Sequence, residues 1–500
     1  MKIFLKLLLI FLASLCLFSK NTLGLHVNNE THFEKRPDAL LKIHGGSVFF
    51  SSEKRNYDDP ATTFYKKSGS IMDSIPLFEN YYLTGVSRIY FNQHTLYLCG
   101  LVQFEPNDSV RIFVFQCDTN LIPLDTIIFK PYKKQVSSLM TGLSTEPFSA
   151  FYIAETAPGS IQKSIYSISF TSEGEILTHQ QAPVLSNTIY FSGVSEIPTS
   201  GGFAVSGFYT QPGGFITPCA FLFNDSLTYQ KIWIYPPTEI FGILQSGIQI
   251  YSNTTFISGE LAYVTSRAYL ADTVIVIPQN YQYYMKAMLA DTAGHVYKVN
   301  AFGAGDTTLY PAFFKHQVAT EDNHFYIVWT KNIEVDCIPY CPYNSWIGIT
   351  YLNDSLDVEW EQFFGGDDFY TSHIAEASPD GGIVVVGTRY QYNDPGQPHE
   401  VIIFSVSPEG VVTGTSGNQP LQGKQAIVYP NPGDGKLMVE TGSHIKQAEF
   451  SLFDINGHLL LTSILSNKIT EINTEQLPSG VYIFNIGNEN FRESGKWIKQ

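Results

Sequence analysis

Asp367 and Asp368 follow the pair Gly365-Gly366 and stand just ahead of His373, and their carboxylate oxygens could serve a Ca²⁺ ion. That ion takes about six or more oxygens, so a solvated turn is the simpler reading. Glu359 and Glu361 flank Trp360 and on a strand would share a face, as the two carboxyls of a glycosidase do at roughly 5 to 10 Å across a sugar. Such pairs also arise by chance among 46 acidic residues. Cys337 and Cys341 are close enough to form a disulfide that staples one loop; zinc would need further ligands, and no second pair or adjacent His supplies them. The same loop presents Tyr340, Tyr343 and Trp346, flat amphipathic rings that stack on sugars or fill protein pockets at low entropic cost, and that could equally pack the loop onto its neighbour. It is the leading candidate for ligand binding, with Tyr281, Tyr283 and Tyr284 a second. The chain holds no Gly-x-Ser-x-Gly elbow, no His-Glu-x-x-His pair, no phosphate-cradling Gly-rich loop and no EF-hand loop. No catalytic residue, metal or cofactor is therefore assigned.

Short strands separated by polar turns must position these groups. Apolar strands that run into or past a small residue recur at Thr95 to Gly100, Gly202 to Gly207, Thr255 to Gly259 and Gly382 to Gly387, and more weakly at Ser47 to Phe50, Ala150 to Ala154 and His324 to Trp329. The copies lie about 50 to 70 residues apart, the range of a four-stranded propeller blade, which makes about seven blades. Behind six of them a strand ends in a polar turn and returns, as at Val114 to Asn120, Ile168 to Gly174, Ala220 to Leu227, Met288 to Gly294, Ile349 to Leu356 and Ile403 to Gly410. These read as hairpins that turn the chain at the rim of each blade. Helical periodicity is absent from residues 40 to 415, which disfavours an α/β enzyme. One repeat is fuller: Trp360-Glu361-Gln362-Phe363-Phe364-Gly365-Gly366, then Ser378-Pro379-Asp380-Gly381-Gly382. It resembles the tandem propeller repeats of secreted Bacteroidota proteins, a scaffold that carries no fixed catalytic residues.

The two ends describe an itinerary. Lys2 and Lys6 precede an apolar run from Leu7 to Phe18, long enough for a signal-peptide core and too short to span a bilayer, with cleavage after Gly24. The far end reads Val428-Tyr429-Pro430-Asn431-Pro432, Gly435, Asp454-Ile455-Asn456-Gly457, Gly480-Val481-Tyr482 and Lys496. The prolines should block pairing at the start of the first strand, and Asn456-Gly457 should close a tight hairpin. In this order the pieces resemble the C-terminal sorting domain (type A) of the Bacteroidota type IX secretion system. The resemblance makes Tyr429, Pro430, Asn431, Pro432, Gly435, Asp454, Gly457, Gly480, Val481, Tyr482 and Lys496 its sorting motif. It implies partners in the type IX translocon and its sortase-like peptidase, and a protein secreted or attached to the outer-membrane surface after Sec export.

The expected fold is therefore all-β: a signal peptide at 1–24, a propeller of about seven blades at 25–415, a linker at 416–424 and a small Ig-like β-sandwich at 425–500. Abundant Tyr and Phe and a charged fraction of only 15% suit such a fold. A net charge of −16 argues against a nucleic-acid partner, and no later apolar run is long enough for a membrane span. Cys99 and Cys117 could bridge neighbouring strands, leaving Cys219 a buried thiol. Asp followed by Ser or Thr and an apolar residue recurs, for example at Asp225-Ser226-Leu227 and Asp354-Ser355-Leu356; this resembles the Bacteroidota O-glycosylation acceptor and equally suits turn chemistry. A module that binds a surface glycan or protein is the leading reading of the body. A propeller hydrolase or lyase acting on polysaccharide, with carboxylates spread over several blades, is the alternative, and a purely structural envelope part the third.

Overall fold

Runs of Val, Ile, Phe and Tyr broken by Asp, Asn, Ser and Gly favour strands and turns. In the computed structural model of the protein, every helix or strand among the described residues is a strand. The structure describes residues 36–500 except 43–46, 55–60, 69–70, 79–80, 82, 93, 106–109, 131–135, 143–146, 156–162, 184–188, 198–201, 211–215, 236–251, 259–260, 270–282, 303–308, 313–314, 321, 334–340, 393–399, 417–422, 443–444 and 490. The signal segment, Cys337, Tyr340 and Tyr281 lie outside the described residues, as do the side chains of Tyr283 and Tyr284.

Among the described residues, seven antiparallel sheets follow one another along the body, at 36–76, 83–129, 136–181, 189–234, 252–302, 309–365 and 369–416. Within each, strands lie side by side in chain order. The first strand of the sixth sheet comes in two pieces, Leu309–Pro311 and Gln317–Ala319, which both pair with Phe325–Lys331. First strands meet those of the next sheet from the first sheet to the fifth, again between sixth and seventh, and between seventh and first, where Phe369–Ala377 touches Arg36–Lys42. At the fifth–sixth junction Leu309–Pro311 is reached instead by Tyr283–Asp291, the third strand of the fifth sheet.

Alternation along each strand sends successive side chains to opposite neighbours. Phe49 packs with Leu98 and Phe113 of the second sheet, whereas Val48 and Phe50 pack with Val384 and Val386 of the seventh. Burial on both faces explains why the central strands read as continuous apolar runs. A ring of meander sheets with an apolar layer at each junction is a β-propeller. The repeat copies fall on the second strand of their sheets, except Thr255 to Gly259, which begins in the first strand of the fifth, Ser252–Ser258. The disulfide expected between Cys99 and Cys117 does not form: Cys99 pairs with Val114 and Cys117 with Leu96, which puts the two thiols on opposite faces. Burial pushes both thiols up to about 12.

The six repeated hairpins all join third to fourth strands, and the fourth strands, such as Pro123–Phe129, are the most exposed. A side-chain oxygen at the head of each turn accepts the backbone N–H groups that follow: Asp118 Oδ1 takes those of Asn120 and Ile122, both at 2.8 Å. The turn then needs a residue at positive φ. Gly174, Gly294 and Gly410 supply it freely, but Leu121, Leu227 and Leu356 hold φ of 62°, 60° and 61°. Their side chains are buried in the sheet junctions, at 6%, 3% and 0% exposure, which offsets the strain. The preceding sheet also grips the turn, as Gln180 Nε2 donates to Ser226 O at 2.9 Å and Asn300 Nδ2 to Leu356 O at 2.9 Å. Leu227→Ala should thus cost about 2 to 4 kcal/mol, and Leu227→Gly about 1 kcal/mol less, because Gly loses the burial but sheds the strain. Denaturant melts of the two variants check this; Gly below Ala in stability would remove the strain from the account.

The tail from Ala426 onward forms two sheets: Ala426–Tyr429, Lys436–Thr441 and Ile469–Asn473 in one, and Ala448–Phe453, Leu459–Leu465, Gly480–Gly487 and Arg492–Lys499 in the other. Val428, Leu437 and Val439 pack against Phe450, Leu452, Ile486 and Trp497 between them. Pro430 and Pro432 end the first strand rather than precede it, and Trp497 Nε1 and Ile498 N tie Pro430 O and Asn431 Oδ1 to the last strand at 2.9 and 3.0 Å. Asn456-Gly457 closes a longer hairpin than a two-residue turn, with Gly457 at φ 83° after a turn headed by Asp454. Ser416, expected in the linker, ends the last strand of the seventh sheet. Gly423–Lys424 pairs with Val358–Gly365, the outer strand of the sixth.

Candidate functional site

In a meander, the connections from second to third strand and from fourth strand to the next sheet emerge on one face of the ring, and the short hairpins on the other. The long connections lie on the first of these faces, among them 332–345, which carries the aromatic loop, and the short connection 366–368, which carries the aspartate pair, lies on the same face. Long loops held on a rigid ring are where binding residues concentrate.

The two segments meet. Ser345 Oγ donates to Tyr370 O and accepts from Tyr370 N, both at 2.6 Å, and Asn344 Nδ2 donates to Gly366 O at 2.8 Å. Tyr343, half-buried, stands edge-on to Phe369 at 6.2 Å, and Phe369 stacks on Tyr390 at 4.8 Å. The Tyr390 hydroxyl accepts from Cys341 N and donates to Cys341 O, which fixes the loop at its root. Cys341 is disulfide-bonded, so it is no zinc ligand. Burial raises the phenol pKa values of Tyr370 and Tyr390, which keeps both as neutral hydrogen-bonding groups.

Asp367 and Asp368 are neutralised by protein rather than poised for a cation. Arg389 donates to Asp368 Oδ2 through Nε at 2.8 Å and Nη2 at 2.6 Å, and Tyr370 donates to Asp367 Oδ1 at 2.7 Å. His373 is buried, its Nε2 3.1 Å from Thr388 Oγ1. Among the described residues no three His, Cys, Asp or Glu stand where they could share a metal ion. The sequence missed Arg389, Phe369 and Tyr390, which come from the seventh sheet and leave no local signal beside the loop.

Two sequence expectations are corrected. Trp346 is only 3% exposed, its ring 6.1 Å from Tyr429 of the tail, so it packs the loop base and offers no face to a ligand. Glu359 and Glu361 do not share a face, because a β-bulge between the partners Tyr351 and Leu352 breaks the alternation. Glu359 lies 3.5 Å from His324 at the exposed rim, whereas Glu361 is buried and paired with Lys468 of the tail at 2.9 Å.

The tail thus packs onto the body. Ile427 and Tyr429 join one apolar cluster with Trp329, Trp346 and Phe363 of the sixth sheet and Met285, Ala287 and Phe302 of the fifth. Lys331 pairs with Glu440, and its ammonium lies over the Tyr429 ring at 4.5 Å. Of the motif residues, Tyr429 and Tyr482 are buried, Pro430, Val481 and Lys496 are exposed, and a Cβ on Gly435 would press on Glu475 at 3.0 Å. The Lys496 carbonyl accepts from Asn431 Nδ2 at 2.7 Å, and Tyr482 donates to Pro478 O.

Residues 427–500 match the family described as the secretion system C-terminal sorting domain. No curated protein matches the chain in sequence. Among solved structures, the chain is similar to a puromycin-hydrolysing peptidase of Mycobacterium tuberculosis, at 13% identity and a TM-score of 0.44, over 82% of this chain and 59% of that one. It is also similar to the β-propeller domain of the trilobed protease of Pyrococcus furiosus, at 11% identity and a TM-score of 0.41, over 74% of this chain and 93% of that one. A third is the α-L-arabinofuranosidase Arb93A of Fusarium graminearum, at 9% identity and a TM-score of 0.40, over 76% and 95%. The chain is an all-β protein, a propeller carrying a type IX secretion sorting domain. It is secreted or displayed at the cell surface by that route. Among the described residues no helix is long and apolar enough to cross a membrane.

Proposed function

We propose that the body is a binding module for a surface glycan or protein, engaged through the long-loop face at Tyr343, which the buried rings of Phe369 and Tyr390 support from beneath. The carrying observation is the loop root: Cys341 is disulfide-bonded and clasped by Tyr390, so Tyr343 is held at low entropic cost beside a half-exposed Asp367. The polysaccharide hydrolase or lyase reading loses its one local acid pair, since Glu361 faces the tail and Glu359 the rim. The motif residues from Tyr429 to Lys496 would engage the translocon and its sortase-like peptidase.

Tyr343→Ala should abolish binding on a glycan array or in a pull-down of envelope extract while lowering stability by only about 1 kcal/mol, the worth of one edge-on ring contact. Retained binding by the folded variant would move the ligand elsewhere on the ring.

A further inference from the structure

The covering of the fifth–sixth junction by the tail goes beyond what a tethered address label needs. Among the described residues the third strand of the fifth sheet, rather than its first, reaches the sixth here, and Ile427, Tyr429 and Met438 sit in the apolar cluster of this junction. Main-chain pairing adds to this: Lys424 opposes Phe363 and Gly423 opposes Phe364, extending the sixth sheet by one strand. The approach is close, since a Cβ on Gly423 would fall 2.0 Å from Gln362 Oε1, which would have to turn away, and 3.0 Å from Phe364 Cε1. Two ion pairs of opposite polarity cross the contact. Lys331 of the body meets Glu440 of the tail, with side chains 1% and 0% exposed, and Glu361 of the body meets Lys468 of the tail, at 0% and 25%. Glu361 is further held by Thr350 Oγ1 at 3.3 Å, itself accepting from Trp329 Nε1 at 3.2 Å.

A cation and an anion on the body, each matched by its opposite on the tail, fix both position and orientation, because any slide or flip brings like charges together in a desolvated place. Strand addition alone would tolerate a slip. Covalent connection alone would require neither.

We propose that the fifth–sixth junction is a receptor site for the sorting domain, one that holds the domain non-covalently when the chain between them is cut. The tail then behaves as a bound subunit that must be undocked, rather than as a flag on a string. This inference does not depend on what the long-loop face binds.

The test places a recognition sequence for a site-specific protease between Ser416 and Gly423 in the full chain and follows the two fragments by size-exclusion chromatography at low micromolar concentration after complete cleavage. Wild-type fragments are expected to co-elute. Glu361→Lys, which sets two ammonium groups against each other, should weaken retention on the order of a hundredfold, and adding Lys468→Glu should restore it. Lys436→Gln, which removes an exposed ion pair with Glu471 elsewhere on the tail, should change nothing. Circular dichroism before cleavage establishes that each variant is folded; if Glu361→Lys is not, Lys468→Gln on the tail side takes its place, with about a tenfold loss expected. Separation of the wild-type fragments overturns the proposal. So does a folded Glu361→Lys protein that retains its tail as wild type does.

Discussion

Replacing Trp346 by Ala is expected to lower the stability of the protein by about 3 to 5 kcal/mol and to leave ligand binding by the folded protein intact. Its indole fills the space over Gly366, where a Cβ would fall 2.0 Å from Nε1, and packs against Tyr429 of the tail. An aromatic at the end of a loop reads in sequence like a ligand anchor, but the strand Trp346–Leu352 begins with it and carries it inward. Denaturant unfolding beside a binding titration distinguishes the roles: a variant as stable as wild type that no longer binds would return Trp346 to the binding surface with Tyr343.

Lys331→Met should also cost about 3 to 5 kcal/mol, because it removes the cation paired with the buried Glu440, and Lys331→Met combined with Glu440→Leu should recover most of that. Burial pushes the Glu440 carboxyl above its ordinary value of 4.5, with Lys331 and Lys468 opposing. An acid whose pKa is raised on folding adds stability below its unfolded pKa and loses it as pH rises through the folded value. The deficit of the single variant should therefore be largest at neutral pH and shrink as pH falls toward 4.5 and below. Melts of the single and double variants across that range check the sign; a deficit that grows toward acid would mean that Glu440 is not the group left stranded.

The rim hairpins were the most legible part of the body, because each depends on a short polar turn and a return strand that are contiguous in sequence. The copy that begins at Thr255 looks like its fellows in sequence, yet Thr255 to Ser258 lie on a first strand, since an apolar run ending in a small residue says nothing of which neighbours it will find. Leu227 and Leu356 gave no sign of their positive φ: that conformation is held by burial in a junction between sheets. The tail's turns were legible for the same local reason, whereas the pairing of Lys331 with Glu440 was not, because only folding brings the sixth sheet and the tail together. The aspartate pair was found, but its partner Arg389 was not, and that partner decides its chemistry.

Apart from Gly423–Lys424 on the sixth, each sheet of the ring is built from one contiguous stretch, and among the described residues the first and seventh are joined by Val48 and Phe50 against Val384 and Val386 with no strand lent across the seam. Such a ring is fastened like a bracelet whose clasp is only friction. Parting it there separates no paired strands among the described residues, so it can be laid down sheet by sheet as the chain emerges from a pore and shut last, and under load it should give way at that seam first.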